Sequence, residues 1–162
     1  MAGKSKPDND MNTIRFGYGI GNLCFGSTMD ECRAYLGDPE DELSEDFEDE
    51  EFVTWYYGDG DLILSFEASE GYCLGSIIAG HRGMTLDGEP LFGKSLDAVK
   101  GYLKKNNYFF LEEVDETDPS IRSLEVGALE STFMFENKKL DGIQWSYYWI
   151  DDETPKWPQK NA

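Results

Sequence analysis

Phe25-Gly26-Ser27-Thr28-Met29-Asp30-Glu31-Cys32-Arg33-Ala34-Tyr35-Leu36 returns without a gap, 67 residues downstream, as Phe92-Gly93-Lys94-Ser95-Leu96-Asp97-Ala98-Val99-Lys100-Gly101-Tyr102-Leu103. Phe, Gly, Asp, Tyr and Leu are identical, and Thr/Ser, Met/Leu, Cys/Val and Arg/Lys are chemically matched. Each copy reads as the start of a helix. The Thr28 hydroxyl can accept from the amide of Glu31 while the Glu31 carboxylate reaches back, a capping box. Met29, Cys32, Tyr35 and Leu36 make one apolar stripe, and Gly37 and Pro39 stop the helix. In the second copy Ser95 is the cap and Leu96, Val99 and Leu103 form the stripe. Helices this short need a surface to bury against.

After each helix the hydrophobic period changes to two. Phe52 to Tyr57 and Leu62 to Glu67 predict strands joined at Gly58-Asp59-Gly60-Asp61, and Tyr72 to Ala79 a third. Ile121 to Val126, Ser131 to Glu136 and Ile143 to Ile150 repeat that order. Gly58/Gly127, Leu64/Phe133, Phe66/Phe135 and Glu67/Glu136 match at an offset of 69, and Leu74-x-Ser76-Ile77 matches Leu140-x-Gly142-Ile143 at 66. Drift of this size is what a tandem duplication with small turn insertions leaves. The expectation is an α+β chain of two tandem repeats, 15–82 and 83–150, between tails at 1–14 and 151–162. Each repeat is a short capped helix followed by an antiparallel meander. The sheets join, with helices on one face.

Alternation assigns the faces. Leu62, Leu64, Phe66, Phe133 and Phe135 should meet the helices, leaving Ile63, Ser65, Glu67, Thr132, Met134 and Glu136 on a mixed outer side. In the last strand Ile143, Trp145, Tyr147 and Trp149 fall on the core side, and Gln144, Ser146 and Tyr148 on the open one. The reverse assignment would instead expose Trp145, Tyr147 and Trp149 as natural interface anchors.

The chain has 33 acidic residues against 14 Lys plus Arg, a net charge of −19. Such a surface repels nucleic acid and anionic membranes and attracts basic partners. Asp38 to Glu51 holds ten acidic residues in fourteen and no basic one. It reads as a mobile acidic loop, either merely solvated or a lure for a basic surface with Phe47 and Phe52 as anchors. Tyr108 to Val114 reads as an extra apolar strand where the first repeat has this loop.

Motifs for chemistry are sparse. Gly17, Gly19 and Gly21 are spaced by two and do not open into a helix as a dinucleotide fingerprint would, so they read as turn residues. Asp59-Gly60-Asp61 lacks EF-hand spacing, since Ile63 stands where a third ligand should be. His81, the single histidine, sits in a glycine-rich junction without a nucleophile or enough Cys/His ligands for zinc. Cys24, Cys32 and Cys73 lie in apolar settings and read as reduced thiols. With no apolar run of membrane length, the chain is expected to be cytoplasmic, non-enzymatic and without cofactor or metal.

Gly19-Ile20-Gly21-x-Leu23-x-Phe25-Gly26-x-Thr28-x-x-Glu31-x-x-x-x-Leu36-Gly37-x-Pro39 resembles the opening of small bacterial helix-plus-meander proteins. Doubled, it is similar to the β-lactamase-inhibitor-protein architecture, and a single repeat to the small lipoprotein of the outer-membrane assembly machinery. The lipoprotein signal and lipidated cysteine of that last group are not in this sequence. The resemblance implies a module that grips a protein partner on its sheet and adjoining loops, as an inhibitor or bacterial immunity protein does. The partner would be a basic toxin or enzyme, met by Glu48, Asp49, Glu50, Glu51, Tyr56, Glu67, Met134, Glu136 and Tyr148. The second reading is a housekeeping scaffold or accessory subunit of a bacterial complex without a toxin target.

Overall fold

The computed structural model of the chain describes residues 13–80, 84–86, 89–90 and 92–159. Residues 1–12, most of the segment read as an N-terminal tail, lie outside the described residues, as does the junction with His81. In chain order the elements are β1 (Ile14–Arg15), β2 (Gly19–Ile20), β3 (Leu23–Cys24), α1 (Met29–Leu36), β4 (Asp41–Phe47), β5 (Glu50–Tyr57), β6 (Leu62–Glu67) and β7 (Cys73–Ala79). There follow β8 (Thr85–Leu86), β9 (Glu89–Pro90), α2 (Leu96–Lys105), β10 (Leu111–Val114), β11 (Ile121–Val126), β12 (Ser131–Glu136), β13 (Lys139–Ser146), β14 (Tyr148–Trp149) and β15 (Pro155–Lys156).

The fold is α+β, dominated by one antiparallel sheet of eight strands in the order β10-β11-β12-β13-β7-β6-β5-β4. The sheet is continuous because β7 pairs with β13, setting Ile77 opposite Trp145 and Ala79 opposite Ile143. Strands β6, β11 and β12 occupy the ranges that alternation predicts. Bulges fall between Ser65 and Phe66 on β6 and between Met134 and Phe135 on β12, where an extra residue on the partner strand adds local twist.

Both helices begin as their sequences require. Thr28 accepts from the Glu31 amide at 3.1 Å and donates its own amide to the Glu31 carboxylate at 2.9 Å, completing the box. Ser95 accepts from the Ala98 amide at 3.1 Å. A cap contributes about 1 kcal/mol, which cannot hold an eight-residue helix in water. Burial does the rest: Cys32 of α1 and Leu96, Val99 and Leu103 of α2 join one core with Trp55, Leu64, Phe66, Phe133, Phe135 and Trp145 from the sheet.

Four segments differ from their sequence reading. The acidic run is not a loop: β4 pairs with β5 along its whole length and forms one edge of the sheet. Nor is an edge strand peculiar to the second half, since β10 sits at the other edge, and only Leu111–Val114 of the apolar stretch is strand. Ile14, placed in the N-terminal tail, is buried in β1. The C-terminal residues also fold back: β15 pairs with β14, and the Trp157 ring lies 4.4 Å from that of Tyr147.

Candidate protein-interaction surface

The sheet has two unlike faces. Toward the helices lie Val53, Trp55, Leu62, Leu64, Phe66, Leu124, Val126, Phe133, Phe135, Ile143 and Trp145, all buried. On the other face the strand register sets one residue from each strand into a row: Asp41, Tyr56, Ile63, Ile78, Gln144, Thr132, Glu125 and Leu111. Beside it runs a second row of Leu43, Thr54, Ser65, Ser76 and Ser146. Tyr56, Ile63 and Ile78 are half-buried. The face is thus apolar and hydroxyl-bearing toward the middle, with carboxylates near both ends of its long row.

The edge hairpin is anchored to the core at several points. Trp55, 1 % exposed, donates its indole N–H to the Glu42 carboxylate at 2.7 Å. The Arg33 guanidinium sits 4.8 Å above the same ring and pairs with Asp38 at 2.9 Å. Glu40 accepts from the Gly58 amide at 2.8 Å. The Tyr57 hydroxyl donates to the carbonyl of Gly37 at 3.0 Å, and burial, helped by nearby Cys32, pushes its pKa up to about 12. Charge on this segment is therefore held in a strand, not left on a mobile loop. The two-residue turn Glu48-Asp49 closes the hairpin with both residues at positive φ, 51° and 66°. That geometry matches the right-handed twist of the flanking strands.

The expected contact residues divide accordingly. Tyr56, Glu67, Met134 and Glu136 all lie on the open face, the last three where alternation put them. They are not one cluster: β5 and β12 are four strand steps apart, roughly 19 Å at ordinary strand spacing. The Met134 side chain lies over Gly142, where an added Cβ would meet its methyl at 3.2 Å. Glu67 is half-buried and its carboxyl is held above the usual glutamate range by burial first, then by the neighbouring Glu70 and Glu50 charges. Glu48 and Asp49 are exposed at the hairpin tip. Glu50 and Glu51 are half-buried and already engaged: Glu50 accepts from the Ser69 amide at 2.6 Å, and Glu51 from the Tyr72 hydroxyl.

Tyr148 and Trp149 are corrections. The chain leaves the sheet at Ser146, so strict alternation ends there. Tyr147 stays buried and bridges Gly17. Tyr148 then packs on Gly17, away from the open face, and lines a cleft of about 500 Å³ with Arg15, Tyr102 and Tyr108. Trp149, expected in the core, is 42 % exposed beside Tyr147. Ile143, Trp145 and Tyr147 are buried as the first face assignment had it.

Sequence reasoning missed Leu43, which is 44 % exposed on the open face of β4, near Phe47 at 64 %. Its signal was the alternation Asp41-x-Leu43-x-Glu45-x-Phe47, hidden under the density of charge. Among the described residues no group of three or more His, Cys, Asp or Glu is arranged to hold a metal ion. No described helix is long and apolar enough to cross a membrane. Cys24 and Cys32 are buried and Cys73 half-buried, none of them in a disulfide.

No family model and no curated protein matches the chain. Among solved structures it is similar to an extracellular protein containing a SCP domain from Bacillus anthracis, with a TM-score of 0.47 and 11 % identity. The likeness covers 74 % of this chain and 43 % of the other, so the chain spans less than half of that protein's length. At that level it carries no argument about fold or function.

Proposed function

We propose that the chain is a non-enzymatic protein-binding module that captures a basic protein and neutralises it, in the manner of an inhibitor or immunity protein. It arose by duplication of a unit made of one capped helix and four strands. The observation that carries the binding reading is the coincidence of two features on one face. A sheet surface with Tyr56, Ile63 and Ile78 half-exposed is continuous, through Asp41 and Glu45, with the most acidic segment of the chain. Duplication is supported by the caps at Thr28 and Ser95, the short 3-10 turns Gly58–Gly60 and Gly127–Leu129, and the bulges at equivalent places on β6 and β12.

A fixed block of carboxylates steers a basic partner on approach and sets the association rate more than the affinity. The test is to isolate the complex from the source cell, identify the partner, and follow reassociation by stopped flow. With Glu48→Gln, Asp49→Asn, Glu50→Gln and Glu51→Gln together, association should slow about tenfold at low salt and hardly at all at high salt. An unchanged low-salt rate, or a partner seated on the helix side, would overturn the reading.

A further inference from the structure

The edge of β4 is open. No strand lies beyond it among the described residues, and at seven residues it is long for an edge, against four for β10 at the other side. Phe47 and Glu50 flank a two-residue turn, so they are a hydrogen-bonded pair, and pairs of that kind recur at every second residue. Residues 41, 43, 45 and 47 therefore point their backbone groups inward at β5, while 42, 44 and 46 point theirs outward. The Glu42 amide is taken by Asp41 Oδ1 at 2.9 Å. The outward N–H groups of Ser44 and Asp46, and three outward carbonyls, remain for another strand.

Side chains restrict what that strand can be. Asp41, Leu43, Glu45 and Phe47 share the open face, and Glu42, Ser44 and Asp46 the other. A second copy of this chain pairing antiparallel through β4, with Ser44 opposite Ser44, would set Glu42 against Asp46 on one face and leave Asp41 and Glu45 opposite apolar side chains on the other, so no carboxylate would meet a cation. A strand defended only against aggregation would need the charges but not Leu43 and Phe47 left exposed between them.

We infer that β4 receives an extended segment of a basic partner as a ninth, antiparallel strand, recognised by alternating pairs of cations and single apolar residues. Opposite Asp41-Glu42-Leu43-Ser44-Glu45-Asp46-Phe47 the complementary strand reads, from its N-terminus, apolar, basic, basic, small, apolar, basic, basic. Backbone pairing gives the affinity and the two-faced charge pattern the selectivity. The inference rests on the proposed capture of a basic protein and specifies how part of it is gripped.

The probe is a blocked peptide, Val-Lys-Lys-Thr-Val-Lys-Lys, titrated into the full chain at low salt. Its controls are a scrambled sequence and a version N-methylated at the second, fourth and sixth residues, whose amides would face β4. The parent should bind at least tenfold more tightly than either control. It should slow hydrogen exchange at Ser44 and Asp46 at least tenfold, leaving Leu43 and Glu45 unchanged. Ser44→Pro removes one outward donor without changing charge or the bonds to β5, and should abolish that preference while the melting temperature holds. Equal binding of all three peptides, or binding of none, would overturn strand addition. If the isolated natural partner binds the Ser44→Pro chain normally, strand addition fails while protein capture stands. If instead the Gln/Asn variant at 48–51 associates at the normal rate, it is electrostatic capture that fails.

Discussion

Trp55 and Glu42 are joined by a 2.7 Å hydrogen bond that runs from the core of the protein to its most exposed strand. The bond explains why ten carboxylates in fourteen residues do not melt the segment into a loop. The indole has one donor and needs a partner once its ring is buried. A carboxylate on β4 reaches it only when Glu42 stands opposite Trp55, which is the register observed. Glu42→Ala should lower stability by about 1–3 kcal/mol, the cost of stranding a charge-assisted donor. Glu42→Gln keeps an acceptor and should lose much less. Urea denaturation of the three proteins checks this, and equal midpoints would show that the bond does not hold β4.

The turn beyond it is strained by its own sequence. Glu48 and Asp49 both sit at positive φ, a region that costs a residue with Cβ roughly 1–2 kcal/mol. Asn-Gly is the pair that such a turn prefers. Glu48→Asn with Asp49→Gly should therefore raise stability by about 1 kcal/mol, with a further gain from removing two like charges. A rise in melting temperature with the hairpin's exchange protection intact is the expected result. A fall would mean that the pair has contacts beyond the turn.

The same strain explains what could be read ahead of the structure and what could not. Helix starts at Thr28 and Ser95 were legible because capping is local chemistry. Strands β6, β11 and β12 were legible because one face is buried and the period is strict. The acidic hairpin was not, because Glu48-Asp49 carries no glycine or asparagine to announce a turn, and its strand is stabilised from a distance by Trp55, Arg33 and Tyr57. Tyr148 was misplaced for a related reason. Alternation holds only while a strand stays in its sheet, and the exit after Ser146 is set by packing against Gly17, a contact remote in sequence. Of the surface, the central residues Glu67 and Met134 were visible in the pattern, whereas Leu43 depended on knowing that β4 exists.

Gly17 and Tyr148 form the tightest of these remote contacts. Gly17 has φ +75°, and a Cβ there would lie 2.3 Å from the Tyr148 ring. Gly17→Ala should destabilise by more than the roughly 1–2 kcal/mol of backbone strain alone, because the ring must also move. Tyr148→Ala removes the obstacle, so the double variant should lose clearly less than the sum of the singles. Additive losses in a thermal denaturation cycle would show that the ring does not feel the new methyl.

Trp145 closes the other end of the core. Its indole N–H donates to the Gly19 carbonyl at 2.9 Å, linking the N-terminal strands to β13 across 126 residues of sequence. Trp145→Phe keeps an aromatic ring but removes the indole donor to that carbonyl, and should cost about 1 kcal/mol in stability. Slowed exchange at the Gly19 region should be lost in step with the denaturation midpoint. A variant that loses neither would mean that water replaces the indole there.

Glu67 gives the protein a stability that depends on pH in an uncommon direction. Burial is the larger cause of its raised pKa, followed by Glu70 and Glu50, so the folded chain holds this proton more firmly than the unfolded chain does. A carboxyl raised in the folded state favours folding while protonated, and that contribution is lost as pH climbs from the ordinary value of 4.5 through the raised one. Glu112 works the other way. Its hydrogen bond from Lys100 first, and that from Arg122, hold its carboxyl below the usual range. It adds stability above that range and loses it as pH falls, and as a partly exposed pair its whole contribution is below about 1 kcal/mol. Glu67→Gln mimics the protonated acid, so it should match the parent protein below pH 4.5 and exceed it near neutrality. Glu112→Gln should do the reverse, falling short near neutrality and converging with the parent in acid. Urea midpoints of the three proteins at several pH values separate the two carboxylates. A Glu67→Gln protein no more stable than the parent at neutral pH would show that the open face solvates that charge after all.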